Sequence, residues 1–230
     1  PPISCTAPFQ LNQQDAGPLS GWGGSNPTGL ARLPDGKFVA VWTWVQAQSP
    51  YYKEIHARVF NDDGTPYTNE FTVNAPGSML TRLYPMARAI DADKFVVTWL
   101  ASNGIRGRVM DVNGSPLSAD FCVTNWTIPP GFKNPQVASA WDSRFRISWI
   151  EEPAGGEERY VKWIEGIQQD ETCPWPPVPV GEYIDQILGP KAYPSLHAAC
   201  WCDTTAIGAW AYKCTGTTFP QCVNFRIKAW

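Results

Sequence analysis

The chain has 230 residues, enough for one domain with a sizeable core. Eighteen lysines and arginines stand against 21 acids, and a net charge of −3 leaves no electrostatic footprint for nucleic acid. No apolar run approaches the roughly 18 residues that a membrane span needs.

The chain opens at Pro1 without a Met or a signal-like stretch, which reads as a processed N-terminus. The first apolar segment is Pro8-Phe9-Gln10-Leu11-Asn12. Residues 13–26, with four glycines, form a long flexible connection. A cassette then begins at Pro27. It runs Leu30-Ala31-Arg32-Leu33, turns at Pro34-Asp35-Gly36, and returns as Lys37-Phe38-Val39-Ala40-Val41-Trp42. Asp-Gly between apolar runs signals a hairpin, because Gly accepts positive φ without steric cost. A third strand follows as Ile55-His56-Ala57-Arg58-Val59-Phe60, then a turn at Asn61-Asp62-Asp63-Gly64, then a fourth strand, Glu70-Phe71-Thr72-Val73-Asn74. Apolar and basic residues alternate in the third strand, which predicts one packed face and one wet face, with His56 solvated.

The second copy starts at Pro85. Its hairpin is 87–90 and 95–99 around Asp91-Ala92-Asp93, its third strand 105–110, and its fourth Asp120-Phe121-Cys122-Val123-Thr124. The third copy starts at Pro135, with strands at 137–141, 145–149 and 160–164, and a degraded fourth strand at Pro177-Val178-Pro179-Val180. Proline cannot donate to a ladder, so that segment reads as an edge. The fourth copy starts at Pro194, with strands at 196–202, 206–210 and 225–230, and the chain then ends.

From proline to strand-ending tryptophan the four copies span 15, 14, 14 and 16 residues, at Trp42, Trp99, Trp149 and Trp210. One supersecondary unit copied four times predicts an all-β fold, a four-bladed β-propeller with units at about 26–74, 84–125, 134–180 and 193–230 plus 5–14. The last unit lacks a fourth strand, and the segment Phe9, Gln10, Leu11, Asn12 matches that pattern. It is expected to pair with the strand holding Phe225 and Ile227, in cis or by donation from a neighbouring molecule into a filament.

The cassette resembles the tandem repeats of secreted bacterial propeller-like proteins, through Leu33-Pro34-Asp35-Gly36-Lys37-Phe38-Val39-Ala40-Val41-Trp42 and 90–99. Units three and four match less completely. The resemblance implies a blade pattern and no activity, since such propellers serve as lectins, adhesins, enzymes and structural parts.

Seven cysteines point to an oxidising, extracellular setting. Cys214 and Cys222 flank one hairpin turn and are expected to bridge, whereas Cys122 and Cys173 have no obvious partners. Asn113-Gly114-Ser115 and Asn125-Trp126-Thr127 are glycosylation sequons. The acid pairs at Asp62-Asp63 and Asp91–Asp93 read as turn formers rather than calcium loops, and neither a metal site nor a cofactor is expected. His197 reads as a core residue. No catalytic set stands out, so the main expectation is a non-enzymatic structural or interaction protein that self-assembles. The alternative is a lectin-like, carbohydrate-binding propeller. Its candidate platforms are the aromatics Trp44, Tyr51, Tyr52, Trp22, Trp126 and Trp175, each a flat apolar face with a polar handle.

Overall fold

The structure is a computed structural model. It describes residues 10–13, 29–45, 53–76, 82–102 and 104–123 with their side chains. Six further strands, 133–139, 145–151, 160–165, 196–201, 205–213 and 223–229, are described by their backbone, with side chains at Pro135, Val137, Phe145 and Ile147. All fourteen elements among these residues are strands. No helix among them is long and apolar enough to cross a membrane.

The first sheet is the antiparallel meander β1 (Gly29–Arg32), β2 (Phe38–Val45), β3 (Lys53–Phe60) and β4 (Phe71–Thr72). The second repeats it as β5 (Arg82–Ala89), β6 (Lys94–Ala101), β7 (Gly104–Asp111) and β8 (Phe121–Cys122). The third holds β9 (Lys133–Ser139), β10 (Phe145–Glu151) and β11 (Tyr160–Glu165), and the fourth β12 (Leu196–Trp201), β13 (Thr205–Lys213) and β14 (Val223–Ala229). The opening strand of each sheet lies against that of the next: β1 against β5, β5 against β9, β9 against β12. This is the radial order of propeller blades around an axis.

Two faces of unequal character make the stacking directional. Val39, Val41, Ile55, Ala57 and Val59 of the first sheet pack against Phe95, Val97, Trp99 and Met110 of the second. One step on, Val96, Ile105, Val109 and Phe121 of the second sheet meet Val137, Phe145 and Ile147 of the third. A β-branched face thus meets an aromatic face at each step, and each such side chain contributes about 1.5–3 kcal/mol by leaving water.

This layering corrects the expectation of a wet face on the third strands. A sheet between two others has both faces covered, so period-2 alternation there separates two buried faces. On the first sheet the face on which Leu11 packs is covered as well, and His56 and Arg58 there are 3% and 8% exposed.

At one end of the sheets the predicted turns form as read. Gly36, Gly64 and Gly114 take φ of 97°, 84° and 88°. Asp35, Asp63, Asp91 and Asp111 each accept a backbone N–H two residues on. Local capping of this type accounts for the acid pairs.

The fourth strands of the first and second sheets are shorter than expected, and residues 177–180 lie outside the described residues. After two ladder residues, the Asn74 side chain takes over and accepts from the Ile55 N–H at 2.7 Å. The side of Gly107 that lacks a Cβ is filled by Phe121, whose ring atoms would lie 2.5 and 2.7 Å from a methyl placed there. Gly107→Ala is therefore expected to lower the unfolding free energy by about 1–3 kcal/mol. Urea denaturation checks this, and an unchanged midpoint would mean that Phe121 gives way freely.

Candidate functional site

The other end of the sheets, where β2 ends, β3 begins and β5 enters, carries the buried ionisable groups. In the first sheet His56 sits between two carboxylates. Its Nδ1 is 2.6 Å from Glu70 Oε1 and its Nε2 3.2 Å from Glu54 Oε2. The Glu70 side chain is 1% exposed and that of Glu54 23%. Trp44 stacks on the imidazole with ring centroids 5.0 Å apart, and Trp42 tilts over it at 6.5 Å. The two acids lie on opposite edges of the ring, so they do not converge as metal ligands. Among the described residues no group of three or more His, Cys, Asp or Glu is placed to hold a metal.

In the second sheet the corresponding acid is Asp120. Both its oxygens accept from the Ala75 N–H, at 3.1 and 3.0 Å, and Arg108 Nε stands 3.4 Å away. Burial raises the Asp120 carboxyl above its ordinary range, against the pull of Ala75, Arg108, Arg82 and Arg106. Arg82 is 3% exposed and donates to the Lys53 carbonyl at 3.0 Å. Burial depresses its guanidinium, which Asp120 and Glu54 oppose.

The same latch recurs between chain segments. The Gln13 N–H donates to Glu70 Oε2 at 2.5 Å, as Ala75 donates to Asp120. Arg58 donates to the Leu11 carbonyl at 3.4 Å, as Arg108 donates to that of Val73 at 2.9 Å. Leu11 also packs on the aromatic face of the first sheet with Trp42 and Trp44. Residues 10–13 therefore stand to the first sheet as residues 72–75, the exit of its own fourth strand, stand to the second.

The inner strands hold a repeated irregularity at this level. In the second sheet the register jumps between Leu83 and Met86, so Tyr84-Pro85 bulge opposite Trp99. In the third it jumps between Lys133 and Gln136, so Asn134-Pro135 bulge opposite Trp149. Tyr84 has φ of 54°, the one non-glycine positive φ among the described residues. A bulky residue in this region before proline costs about 1–3 kcal/mol and persists where its surroundings enforce it. Gly29 leaves room for the bulge, since a Cβ there would lie 2.9 Å from the Pro85 carbonyl oxygen. Tyr84 itself is half-buried.

Of the expected platform residues, Trp44 lies inside β2 rather than at a loop tip, half-buried on His56. Tyr51, Tyr52, Trp22, Trp126 and Trp175 lie outside the described residues, as do Phe9, Cys214, Cys222, Asn125 and the side chain of His197. Phe225 and Ile227 are in β14, described by backbone, which pairs with β13. Asn113 is exposed at the β7–β8 turn, where it accepts from the Tyr67 hydroxyl at 3.4 Å. Cys122, for which the sequence offered no obvious partner, is disulfide-bonded. Tyr84, Glu54, Glu70, Arg82, Arg106 and Asp120 were not legible as a site; the visible signal was the residue before each unit's proline.

No protein-family model and no curated protein sequence matches the chain. Solved structures match in fold. The chain is similar to an α-L-arabinofuranosidase from Fusarium graminearum, solved with an iminosugar inhibitor, with a TM-score of 0.57 and 11% identity over 95% of this chain and 67% of that one. A protein of unknown function from Dyadobacter fermentans gives 0.56 and 12%, over 87% of this chain and 53% of that chain, so the chain spans about half its length. A GH43 endo-arabinanase from Bacillus licheniformis gives 0.51 and 12%, over 88% and 72%. At these identities the likeness is one of fold, a β-propeller-like arrangement of antiparallel sheets. It overturns the expectation of a non-enzymatic, self-assembling structural protein. The two neighbours of named activity are glycoside hydrolases, and of the two expectations it is the carbohydrate-directed alternative that they back.

Proposed function

We propose that this chain is a carbohydrate-binding β-propeller that takes a glycan at the end of its axis where the inner strands enter. The observation that carries the reading is Tyr84, an aromatic held at strained φ in a bulge that recurs at Asn134. Strain of this kind is kept where a side chain must be presented rather than packed. An aromatic face with a hydroxyl handle suits the apolar face and hydroxyls of a sugar ring. Glu54, partly exposed beside Trp44, supplies an acceptor at the same end. The four opening strands contain no Asp or Glu, so the described carboxylates of this end come from the third strands and from the residues that lead into the fourth.

The proposal includes closure of the ring with four blades. The aromatic face of the first sheet is buried, with Ala40 and Phe60 at 0% and Trp42 at 8% exposure. In the second and third sheets the equivalent face is covered by the preceding sheet. In the fourth sheet the register positions of Val39, Val41, Ile55 and Val59 are Ile207, Ala209, Phe225 and Ala229, all apolar. The fourth sheet covers the first in this reading, with residues 9–12 beside β14. The disulfide at Cys122 supports an oxidising, extracellular setting.

Titration of the full chain with neutral arabino-oligosaccharides and a panel of other glycans tests this, with released reducing sugar measured in the same samples. Saturable binding is expected. Tyr84→Asn, which places at Tyr84 the residue found at Asn134, should weaken it about tenfold while leaving the melting temperature within a few degrees. Absence of saturable binding across the panel would refute the reading.

A further inference from the structure

We infer that the glycan is anionic, carrying carboxylate or sulfate groups, and is held by a row of cations at the level of the bulge; this rests on the carbohydrate reading above. The cross-strand register places one base opposite the tryptophan in each sheet: His56 opposite Trp42, Arg106 opposite Trp99, Lys162 opposite Trp149 and Arg226 opposite Trp210. In three sheets that base is a lysine or arginine, and in the first it is His56, held between Glu54 and Glu70.

The acids that accompany these bases do not recur with them. Glu70 serves the first sheet and Asp120 the second. In the segment proposed to complete the fourth sheet, Pro8 stands where the pattern has Glu70. The third unit's Pro177-Val178-Pro179-Val180 contains no acid either. Further cations enter beside the bulge: Arg82 ahead of Tyr84-Pro85, and Lys133 immediately before Asn134-Pro135. Lys191 precedes Pro194 by the three residues that separate Arg82 from Pro85.

Asp120 faces three guanidiniums, those of Arg108, Arg82 and Arg106. Arg108 is engaged by the Ser118 and Val73 carbonyls as well as by Asp120. The Nε of Arg106 is buried without a hydrogen-bond partner. A buried donor left open is costly, and the guanidinium that carries it, half-buried as a whole, suits an anionic oxygen through its charge. Burial also depresses the Arg106 guanidinium, so a nearby anion would relieve it. The opposite end of the sheets carries the Asp-rich turns. There acids are paired with Arg32, Lys37 and Lys94.

The test is calorimetric titration of the full chain with oligogalacturonate, with sulfated dextran oligomers and with neutral arabino-oligosaccharide, each at low and high salt. At low salt one or both acidic ligands should bind at least about tenfold tighter than the neutral one, and their advantage should fall as salt rises. The two acidic arms separate carboxylate from sulfate. Arg106→Gln should remove most of the advantage and flatten the salt dependence. The double variant Lys133→Gln with Lys162→Gln provides the same readout should the Arg106 variant fail to fold. A neutral ligand that binds as tightly as both acidic ones at low salt would overturn the inference and leave the carbohydrate reading standing. Failure of all three to bind, with no other glycan of the panel binding either, would overturn both.

Discussion

Replacing Trp99 by alanine is expected to lower the unfolding free energy by about 3–5 kcal/mol. Trp99 is 1% exposed and sits in the cluster between the first and second sheets, against the valine face of the first. Its truncation removes the largest fully buried side chain among the described residues and leaves a cavity between the valine face of the first sheet and the aromatic face of the second. Those surfaces belong to separate sheets whose backbones are fixed by their own ladders, so they cannot collapse to fill it. Trp99 also opposes the Tyr84-Pro85 bulge, and glycan binding should fall with stability. With twelve tryptophans in the chain, fluorescence mixes many sites, and far-ultraviolet circular dichroism in urea is the cleaner measure. A loss under about 1 kcal/mol would show that the two sheets do not depend on this contact.

Asp120→Ala is expected to cost about 3 kcal/mol, the lower edge of the range for breaking a buried charge pair, because a fifth of the side chain still meets solvent. The variant leaves the Ala75 N–H without its acceptor and removes the carboxylate from Arg82, Arg106 and Arg108. Asp120→Asn keeps an acceptor for Ala75 and should cost less. The pair also gives a pH signature. Burial holds the folded carboxyl above its unfolded value of 3.8. The native state then binds the proton more tightly than the unfolded state between those two values. The contribution of Asp120 is therefore fully present below the unfolded value and is lost as pH rises through the folded one. The stability difference between the native chain and Asp120→Asn should narrow as pH climbs from acid. A difference that widens would mean that the arginines, not burial, dominate at this carboxylate.

The repeat was legible because its marks are local: a proline, a turn residue and a tryptophan at near-constant spacing. Four antiparallel sheets follow those marks closely. Which faces were wet was not legible, because alternation reports two faces and says nothing about what covers each. His56 looked solvated for that reason and lies under Trp44, paired with Glu70 from fourteen residues on. The bulge at Tyr84 is a mismatch between two strands, and neither strand alone displays it. The latch joining Gln13 to Glu70 spans 57 residues, beyond the reach of any local pattern. The expected self-assembly drew on a real feature, the strand-like segment before residue 13, and gave it an intermolecular use that the fold likeness does not back.

That latch has a consequence for how such a chain grows. The acid at the start of a fourth strand is satisfied by backbone from the unit before it, at Gln13 for Glu70 and at Ala75 for Asp120. A unit excised alone would lose the backbone donor of its carboxylate, leaving Glu70 to His56 and Asp120 to Arg108. A unit copied in tandem brings the donor for its successor and receives one from its predecessor. Duplication of a unit that carries the acid therefore copies this joint along with it. Only the leading unit must obtain its donor from outside the series, and residues 10–13 are where this chain provides it.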